Sequence, residues 1–357
     1  MRKTYLDNIK WITVVLVVIY HVIYAFNGVT SYPVLGPFSD KQPQDVYQYI
    51  VYPWFMLLLF VVSGMSARYD LNKRTDKAFL KARTTRYLVP STIGLFVGGW
   101  VLGYYNMLVG GAFETMGEVP KAIVFLIMCF SGSGPLWFIQ MLWIFSWLLV
   151  LVRKIDKDRL YNLGAKTNIV VLLLLTVLIY GSAQVLNLPI VVYRFGIYGV
   201  GFFVGYFMLS HDEVMERLSK WWVYLVIAAI GLCVAFVIIY RGQPYSDYIV
   251  LNTLLCNVYA WIATLAILAF MKKWGNKSNT FTMWMCKKSW GLYVCHYLPL
   301  IMAGYYMKKY IPNLPPILMY ILTGIAGFAG AYLLYEILSR IPFIRWALLG
   351  LKKEKKA

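Results

Sequence analysis

Apolar stretches of about 20 residues recur along this chain, and they limit what it can fold into. A helix needs about 20 mostly apolar residues to cross the hydrocarbon core of a bilayer. Of the 357 residues, 61% are hydrophobic and 14% are charged, whereas soluble domains contain about 25% charged residues. A soluble enzyme of this length could not bury so much apolar surface, so the composition excludes that class of protein.

The stretches predict an all-α integral membrane protein, a bundle of about ten transmembrane helices with both termini in the cytoplasm. We expect one domain over residues 1–340 and a basic cytoplasmic tail over residues 341–357. The stretch 121–130 is too short to span and is predicted to form a re-entrant or interfacial helix. The ten predicted spans are 9–27, 47–66, 88–107, 135–152, 169–186, 191–209, 221–240, 248–271, 289–307 and 316–337.

The basic residues indicate how these spans are oriented. The chain has 34 Lys and Arg against 15 Asp and Glu, a net charge of +19. Such a surplus is compatible with nucleic acid, a membrane surface or basic cytoplasmic loops. With the N-terminus inside, 28 of the 34 basic residues fall in cytoplasmic segments, as the positive-inside rule requires. The charge therefore indicates orientation, and we expect no nucleic-acid partner.

The five cysteines occur singly, and no C-x-x-C pair is present. Zinc sites and disulfide frameworks use closely spaced or paired cysteines. We therefore expect no metal site, and we expect the cysteines to be small packing residues. They are Cys129, Cys233, Cys256, Cys286 and Cys295.

The first span carries ionisable residues on one face. Lys10 and His21 are eleven residues apart, which at 100° per residue leaves only about 20° between them and places them about 16 Å apart along the axis. Asp7 falls on the same side. Ionisable groups within a span are functional candidates by default, and a histidine is a natural general base near neutral pH. The alternative is a snorkelling lysine and a histidine that bonds another helix.

The cytoplasmic segment 67–87 contains seven basic residues. Arg83 and Arg86 are spaced i, i+3 just before the third span, so they share a helix face. Paired guanidinium groups offer bidentate donors that suit a phosphate-rich cofactor. Simple topology-setting charge is the alternative explanation for this segment.

Other candidates lie at isolated positions. His296 is placed within the ninth span, where it either reacts or packs. Arg194 begins the sixth span and either binds an anionic or sugar substrate or pairs with acidic or backbone groups. Glu114 and Trp137 could contact a substrate at the outer face; the alternatives are solvated loop charge for Glu114 and interfacial anchoring for Trp137. His211, in a short cytoplasmic loop, is expected to be solvated.

Four motifs occur in order along most of the chain, and together they resemble the membrane-bound acyltransferase 3 family. The pattern is most similar to the branch that contains the glucan-biosynthesis protein C type. Lys10 stands where the family has an arginine, and Pro135 stands where that branch often has a histidine. The motifs are "YLDNIKWITVVLVVIYH" (5–21), "VSGMSARYDLNKR" with "FLKARTTRYLVP" (62–90), "GPLWFIQML" (134–142) and "SWGLYVCHYLP" (289–299).

The resemblance implies an enzyme that moves an acyl group, acetyl or succinyl, from cytoplasmic acyl-CoA to a hydroxyl of an extracytoplasmic glycan or lipid-linked sugar. It implies that His21 and Lys10 are essential, that Arg83, Arg86 and Lys10 hold the CoA phosphates, and that His296 takes part in catalysis. It places the protein among lipids in a membrane, the plasma membrane of a bacterium, and leaves the oligomeric state open.

A different class of protein is also compatible with the residues. A transporter or flippase for a lipid-linked sugar or polysaccharide would have many spans and a few buried ionisable groups. Transporters are typically built from internal repeats with interrupted helices in corresponding positions. The sequence shows no such repeat, which favours the enzyme.

Overall fold

The computed structural model describes residues 3–27, 29, 35–36, 38 and 42–352. Within these residues the chain is helical and forms no β-strand, apart from one isolated bridge between Asn187 and Arg194. The helices are α1 (Thr4–Tyr24), α2 (Val46–Leu71), α3 (Asp76–Arg83), α4 (Trp100–Val109), α5 (Lys121–Ser131), α6 (Trp137–Asp156), α7 (Arg159–Gly164), α8 (Ile169–Ala183), α9 (Phe195–Val204), α10 (Asp212–Ser219), α11 (Trp222–Tyr240), α12 (Tyr248–Leu251), α13 (Leu254–Trp274), α14 (Thr280–Cys295), α15 (Tyr297–Tyr310), α16 (Pro316–Arg340) and α17 (Pro342–Leu349).

Short 3-10 and π-helical turns join or extend several of these helices. The 3-10 turns are Pro43–Asp45, Ala112–Thr115 and Gly134–Leu136, and the π-helical turns are Thr84–Leu88, Leu95–Gly99 and Gly205–Leu209.

Exposed apolar surface identifies the environment of the fold. Six helical segments of the described chain are long and apolar enough to cross a membrane. On α11, the side chains of Ile227, Ile230, Val234 and Ile238 follow one helical face and are each more than half exposed. Such a face would be unstable in water and suits lipid. The prediction of an all-α membrane protein is therefore confirmed, while the number of crossings and the side of each terminus stay predictions.

The ninth predicted span, 289–307, is wrong as one continuous helix. The chain breaks at His296, between α14 and α15. Pro299 explains the break, since proline has no N–H to bond the carbonyl of Cys295 and its ring clashes with that carbonyl. In the first turn of a new helix the missing N–H has no consequence. Starting α15 at Tyr297 places Pro299 there.

Two other predicted spans are interrupted near their starts. In the third span, Pro90 is followed by turns and the π-helical segment Leu95–Gly99, and regular α4 starts at Trp100. In the eighth span, the hydroxyl of Thr253 accepts a hydrogen bond from the N–H of Cys256 at 3.3 Å. This N-cap starts α13 at Leu254 and separates it from α12. The stretch predicted as a short helix, 121–130, is the eleven-residue helix α5.

The chain divides into two compact units. The first unit comprises Met1–Thr13, Asp45–Leu80 and Ile144–Cys286. Within it α13 packs against α2, α8, α10 and α11, and α2 packs against α9 and the π-helical turn Gly205–Leu209. Gly64 and Gly205 permit the close contact of α2 with α9 and this turn, because a Cβ on Gly64 would overlap the carbonyl oxygen of Phe202 and a Cβ on Gly205 that of Val61.

The second unit comprises Val14–Gln44, Lys81–Trp143 and Lys287–Ala357. Within it α15 packs against α16 and α4, α4 packs against α5, and α17 packs against α16 and the turn Leu95–Gly99. Part of the predicted tail 341–357 is thus the ordered helix α17. Residues 353–357 of that tail, and ten residues between the first two predicted spans (28, 30–34, 37 and 39–41), lie outside the described residues.

Gly64 offers a test of the close helix contact in the first unit. We expect Gly64→Ala to lower the free energy of unfolding by about 1–3 kcal/mol, because the added methyl overlaps the carbonyl of Phe202. Thermal unfolding of the detergent-solubilised protein measures the change. Gly231→Ala on α11 is the matched control, since a Cβ there meets nothing within 4 Å. Equal stability of the two variants would contradict the close packing.

Candidate active site

Two histidines that are far apart in the sequence meet in the second unit. His21 Nδ1 lies 3.1 Å from His296 Nε2, and the two ring centroids are 5.0 Å apart. His296 stands at the break between α14 and α15 and is fully buried, whereas His21, in the last turn of α1, keeps a partly exposed side chain. The sequence singled out both residues but did not indicate that they touch.

Backbone carbonyls decide which ring nitrogens carry protons. His296 Nδ1 lies 2.8 Å from the carbonyl oxygen of Tyr293 and 3.1 Å from that of Leu292. Since a carbonyl oxygen only accepts, Nδ1 of His296 holds the proton and its Nε2 is an acceptor. His21 Nδ1 lies 2.9 Å from the carbonyl oxygen of Val17. It therefore also holds its proton, and it donates to both Val17 and His296.

This arrangement leaves one nitrogen of the pair available. His21 Nε2 carries a lone pair and accepts no hydrogen bond from any residue that the structure describes. His296 contacts the opposite nitrogen of the same ring, an arrangement in which a neighbouring group can orient a base. The pair can therefore accept a proton, or attack an electrophilic carbon, at Nε2 of His21.

Aromatic side chains lie around the pair, and of these the sequence did not single out Tyr297. The ring of Tyr297 lies edge-on to His21 at a centroid distance of 5.0 Å. The hydroxyl of Tyr293 donates to the carbonyl oxygen of Pro135, which ties the segment before α6 to α14. Gly134 has a φ of +41°, and a Cβ there would lie 3.5 Å from the Tyr297 ring. Helical spacing was the available signal, since residues 290, 293 and 297 share one face.

Arg86 lies in the second unit within the π-helical turn Thr84–Leu88. Its guanidinium stacks over the ring of Trp290 at 3.8 Å from the centroid. No carboxylate of the described residues forms an ion pair with it. Burial lowers the pKa of Arg86 to about 10, so the group is still protonated at neutral pH. Arg86 is thus a shielded cation whose hydrogen-bond donors are not occupied by an acidic side chain.

Arg83 is close to Arg86 in the same unit. Its guanidinium donates to the hydroxyl of Tyr87 and lies 5.3 Å from the centre of that ring. The positive charge of Arg83 also acts to lower the pKa of Arg86. The predicted proximity of the two guanidinium groups is therefore consistent with the structure.

The remaining candidates are divided between the two units. Lys10 in the first unit pairs with Asp7 at 3.9 Å. Arg194, also in the first unit, is buried and donates to the carbonyl oxygen of Leu251 at 3.0 Å, the backbone pairing named as its alternative role. Glu114 is exposed in the second unit, where Trp137 starts α6. Their substrate roles stay predictions.

The prediction that His211 is solvated is wrong. It is buried in the first unit, where its ring stacks on Tyr161 at 3.8 Å and its Nε2 donates to the carbonyl oxygen of that residue at 2.9 Å. The expectation failed because the aromatic partner lies 50 residues earlier in the sequence. For metals, the described part of the chain contains no cluster of three or more His, Cys, Asp or Glu able to hold an ion.

Comparison with known proteins identifies the family to which the chain belongs. The acyltransferase 3 family model, described as an acyltransferase domain, matches residues 3–336, which is nearly the whole chain. No curated protein and no solved structure matches the chain significantly. The chain therefore belongs to the acyltransferase 3 family and is a membrane acyltransferase that transfers groups other than amino-acyl groups.

Proposed function

We propose that this enzyme transfers an acyl group from cytoplasmic acyl-CoA to a hydroxyl of an extracytoplasmic glycan or lipid-linked sugar. The observation that carries the proposal is the available Nε2 of His21, which is backed by a buried histidine and lies in an enzyme of an acyltransferase family. A hydroxyl is a poor nucleophile until a base removes its proton. Because the chain is an acyltransferase, we do not propose the transport alternative.

The proposed chemistry centres on one nitrogen. Acyl-CoA supplies the acyl group as a thioester. His21 Nε2 takes the proton of the acceptor hydroxyl as that oxygen forms its bond to the acyl carbon, and then returns the proton to the sulfur as the carbon–sulfur bond breaks. His296 keeps the His21 ring in place, because the Nδ1 proton of His21 is directed at His296 Nε2. The same lone pair would serve if His21 accepted the acyl group transiently.

The residues at Arg86 suit the phosphates of the donor. CoA carries a pyrophosphate and a 3′-phosphate, and guanidinium groups bind phosphate with two parallel hydrogen bonds. Arg86 is protonated and has no carboxylate partner in the described chain, while Arg83 adds a second positive charge close by. We assign both to donor binding, together with Lys10 as the family resemblance implies.

Finer features of the reaction follow the family pattern. We propose an acetyl or succinyl donor, an acceptor contacted by Arg194, Glu114 and Trp137, and a location in a bacterial plasma membrane. The resemblance to the glucan-biosynthesis protein C branch is part of the same proposal.

Mass spectrometry of envelope glycans from cells with and without the protein tests the proposed donor and acceptor, since a mass shift identifies both acyl group and acceptor. Identical glycans would contradict a glycan acceptor.

The role of His21 Nε2 is tested by a substitution that removes this basic nitrogen but keeps a donor near the position of Nδ1. We expect His21→Asn to lower kcat by about 100- to 10,000-fold. The asparagine amide can still donate to the carbonyl of Val17 and to His296, but it has no basic nitrogen in place of Nε2. Transfer of labelled acyl groups from acyl-CoA in membranes measures the rate. Wild-type activity in a variant with unchanged thermal stability would overturn the assignment.

The role of His296 is tested by keeping or removing its acceptor. We expect His296→Phe to reduce kcat by about 10- to 100-fold with little change in the KM for acyl-CoA, because the His21 ring loses its partner. His296→Gln, which can offer an amide oxygen to His21 Nδ1, should retain more activity. If both variants lose the same fraction of kcat, or the phenylalanine variant is fully active, the orienting role is contradicted.

The phosphate-binding role of the arginines predicts a different kinetic change. Combined Arg83→Ala and Arg86→Ala should raise the KM for acyl-CoA by about 10- to 100-fold, because hydrogen bonds to charged groups are lost. Arg74→Ala is the control, since Arg74 pairs with Asp70 at 3.0 Å in the first unit. A loss of kcat with unchanged affinity for CoA would exclude the proposed role.

A further inference from the structure

The guanidinium of Arg86 lies over the ring of Trp290. The guanidinium carbon lies 3.8 Å from the centre of the ring, a distance typical of a strong cation–π contact. No described residue accepts a hydrogen bond from the guanidinium of Arg86, so its N–H groups are not occupied while the cation lies over the ring. The contact therefore shields Arg86 without using the donors that a phosphate needs.

Trp290 is held in turn by the C-terminal end of α17. Its indole N–H donates to the carbonyl oxygen of Leu349 at 2.9 Å. Leu349 is the last residue of α17, so its carbonyl is one of those that the helix itself does not satisfy. The ring is thus fixed through its N–H edge by α17 and carries Arg86 on its face.

The residue after α17 touches the turn that carries Arg86. Gly350 has a φ of +60°, and a Cβ there would lie 2.6 Å from the carbonyl oxygen of Thr85 and 2.7 Å from that of Arg86. A side chain would therefore meet both a strained backbone conformation and a steric overlap. The end of α17 thus contacts both parts of the pair, the ring of Trp290 and the backbone of Arg86.

We propose that Trp290 is a positioning residue for donor binding, and that the segment Leu349–Gly350 locks it in place over Arg86. The proposal rests on the proposed function, because it gives Arg86 the task of binding the phosphates of CoA. An arginine side chain loses rotamer freedom when it binds a ligand. Stacking restricts the guanidinium before CoA arrives, so a smaller loss accompanies binding.

A double-mutant cycle on the full-length, detergent-solubilised protein tests the coupling. The probe is free CoA, and the readout is its Kd by calorimetry, which needs no turnover. We expect Trp290→Leu to weaken CoA binding by about fivefold and to leave kcat at saturating acyl-CoA unchanged. In the Arg86→Ala background, the same substitution should have no further effect on the Kd. Equal effects in both backgrounds would overturn the proposal, since Trp290 would then act independently of Arg86.

Graded replacements separate positioning from general support. Trp290→Phe keeps an aromatic face but loses the bond to Leu349, so we expect CoA binding intermediate between wild type and Trp290→Leu. If the phenylalanine and leucine variants bind CoA equally well, the aromatic face is irrelevant and the proposal fails. Thermal unfolding without CoA identifies any variant that fails to fold. If Trp290→Phe fails to fold, Trp290→Tyr takes its place, and its CoA binding should again lie between that of wild type and that of Trp290→Leu.

Gly350 provides a second test away from the ring. We expect Gly350→Ala to weaken CoA binding, because the added methyl forces the segment Leu349–Gly350 away from the backbone of Thr85 and Arg86. Gly242→Ala is the control: its φ of +89° also lies in the positive range that disfavours a side chain, but a Cβ there meets nothing within 4 Å. A Gly350→Ala variant that binds CoA as well as Gly242→Ala does would contradict the lock.

The wild-type measurement separates two kinds of failure. If the wild-type protein does not bind CoA, the proposed function fails and with it the role of Trp290. If wild type binds CoA and Arg86→Ala weakens binding, but Trp290→Leu does not, only the positioning role fails.

Discussion

The hydrogen bond between His21 and His296 is the interaction on which the proposed chemistry depends. It gives His21 a fixed ring orientation and a defined proton position, with Nε2 as the basic atom. Both Nδ1 protons are directed by main-chain carbonyls within the same helical turn, so the arrangement needs no buried carboxylate. In a membrane enzyme this is favourable, because a buried charge is costly in an apolar surrounding.

Departures from regular helix accompany both parts of the candidate site. His296 lies at the break before α15, and Arg86 lies in a π-helical turn that precedes Pro90. In a regular helix each carbonyl oxygen accepts a hydrogen bond from the helix itself. At a break some of these carbonyls are not bonded within the helix, and a side chain can point toward a neighbouring segment. Pro299 and Pro90 thus connect the local sequence to the site, since each prevents regular helix at the point where a functional side chain is needed.

The sequence identified the class of fold and singled out most residues of the candidate site, but not their partners. His21 and Arg86 were predicted because ionisable groups at membrane depth and paired arginines have few bland explanations. The contact of His21 with His296 spans 275 residues, and nothing local encodes it. Trp290 was overlooked because tryptophans near membrane boundaries usually anchor helices. The continuous span 289–307 was predicted because hydropathy averages over Pro299.

Partner choice separates arginines that support the fold from one that is available to a ligand. In the basic segment 67–87, Arg68 pairs with Asp158 at 2.7 Å and Arg74 pairs with Asp70 at 3.0 Å. A carboxylate partner occupies the donors of a guanidinium and neutralises its charge. Arg86 has an aromatic partner instead. The ring stabilises the cation, but it neither neutralises the charge nor occupies the N–H donors. The positive-inside rule predicts that all these residues lie on one side, but only the nature of the neighbour indicates which of them can bind phosphate.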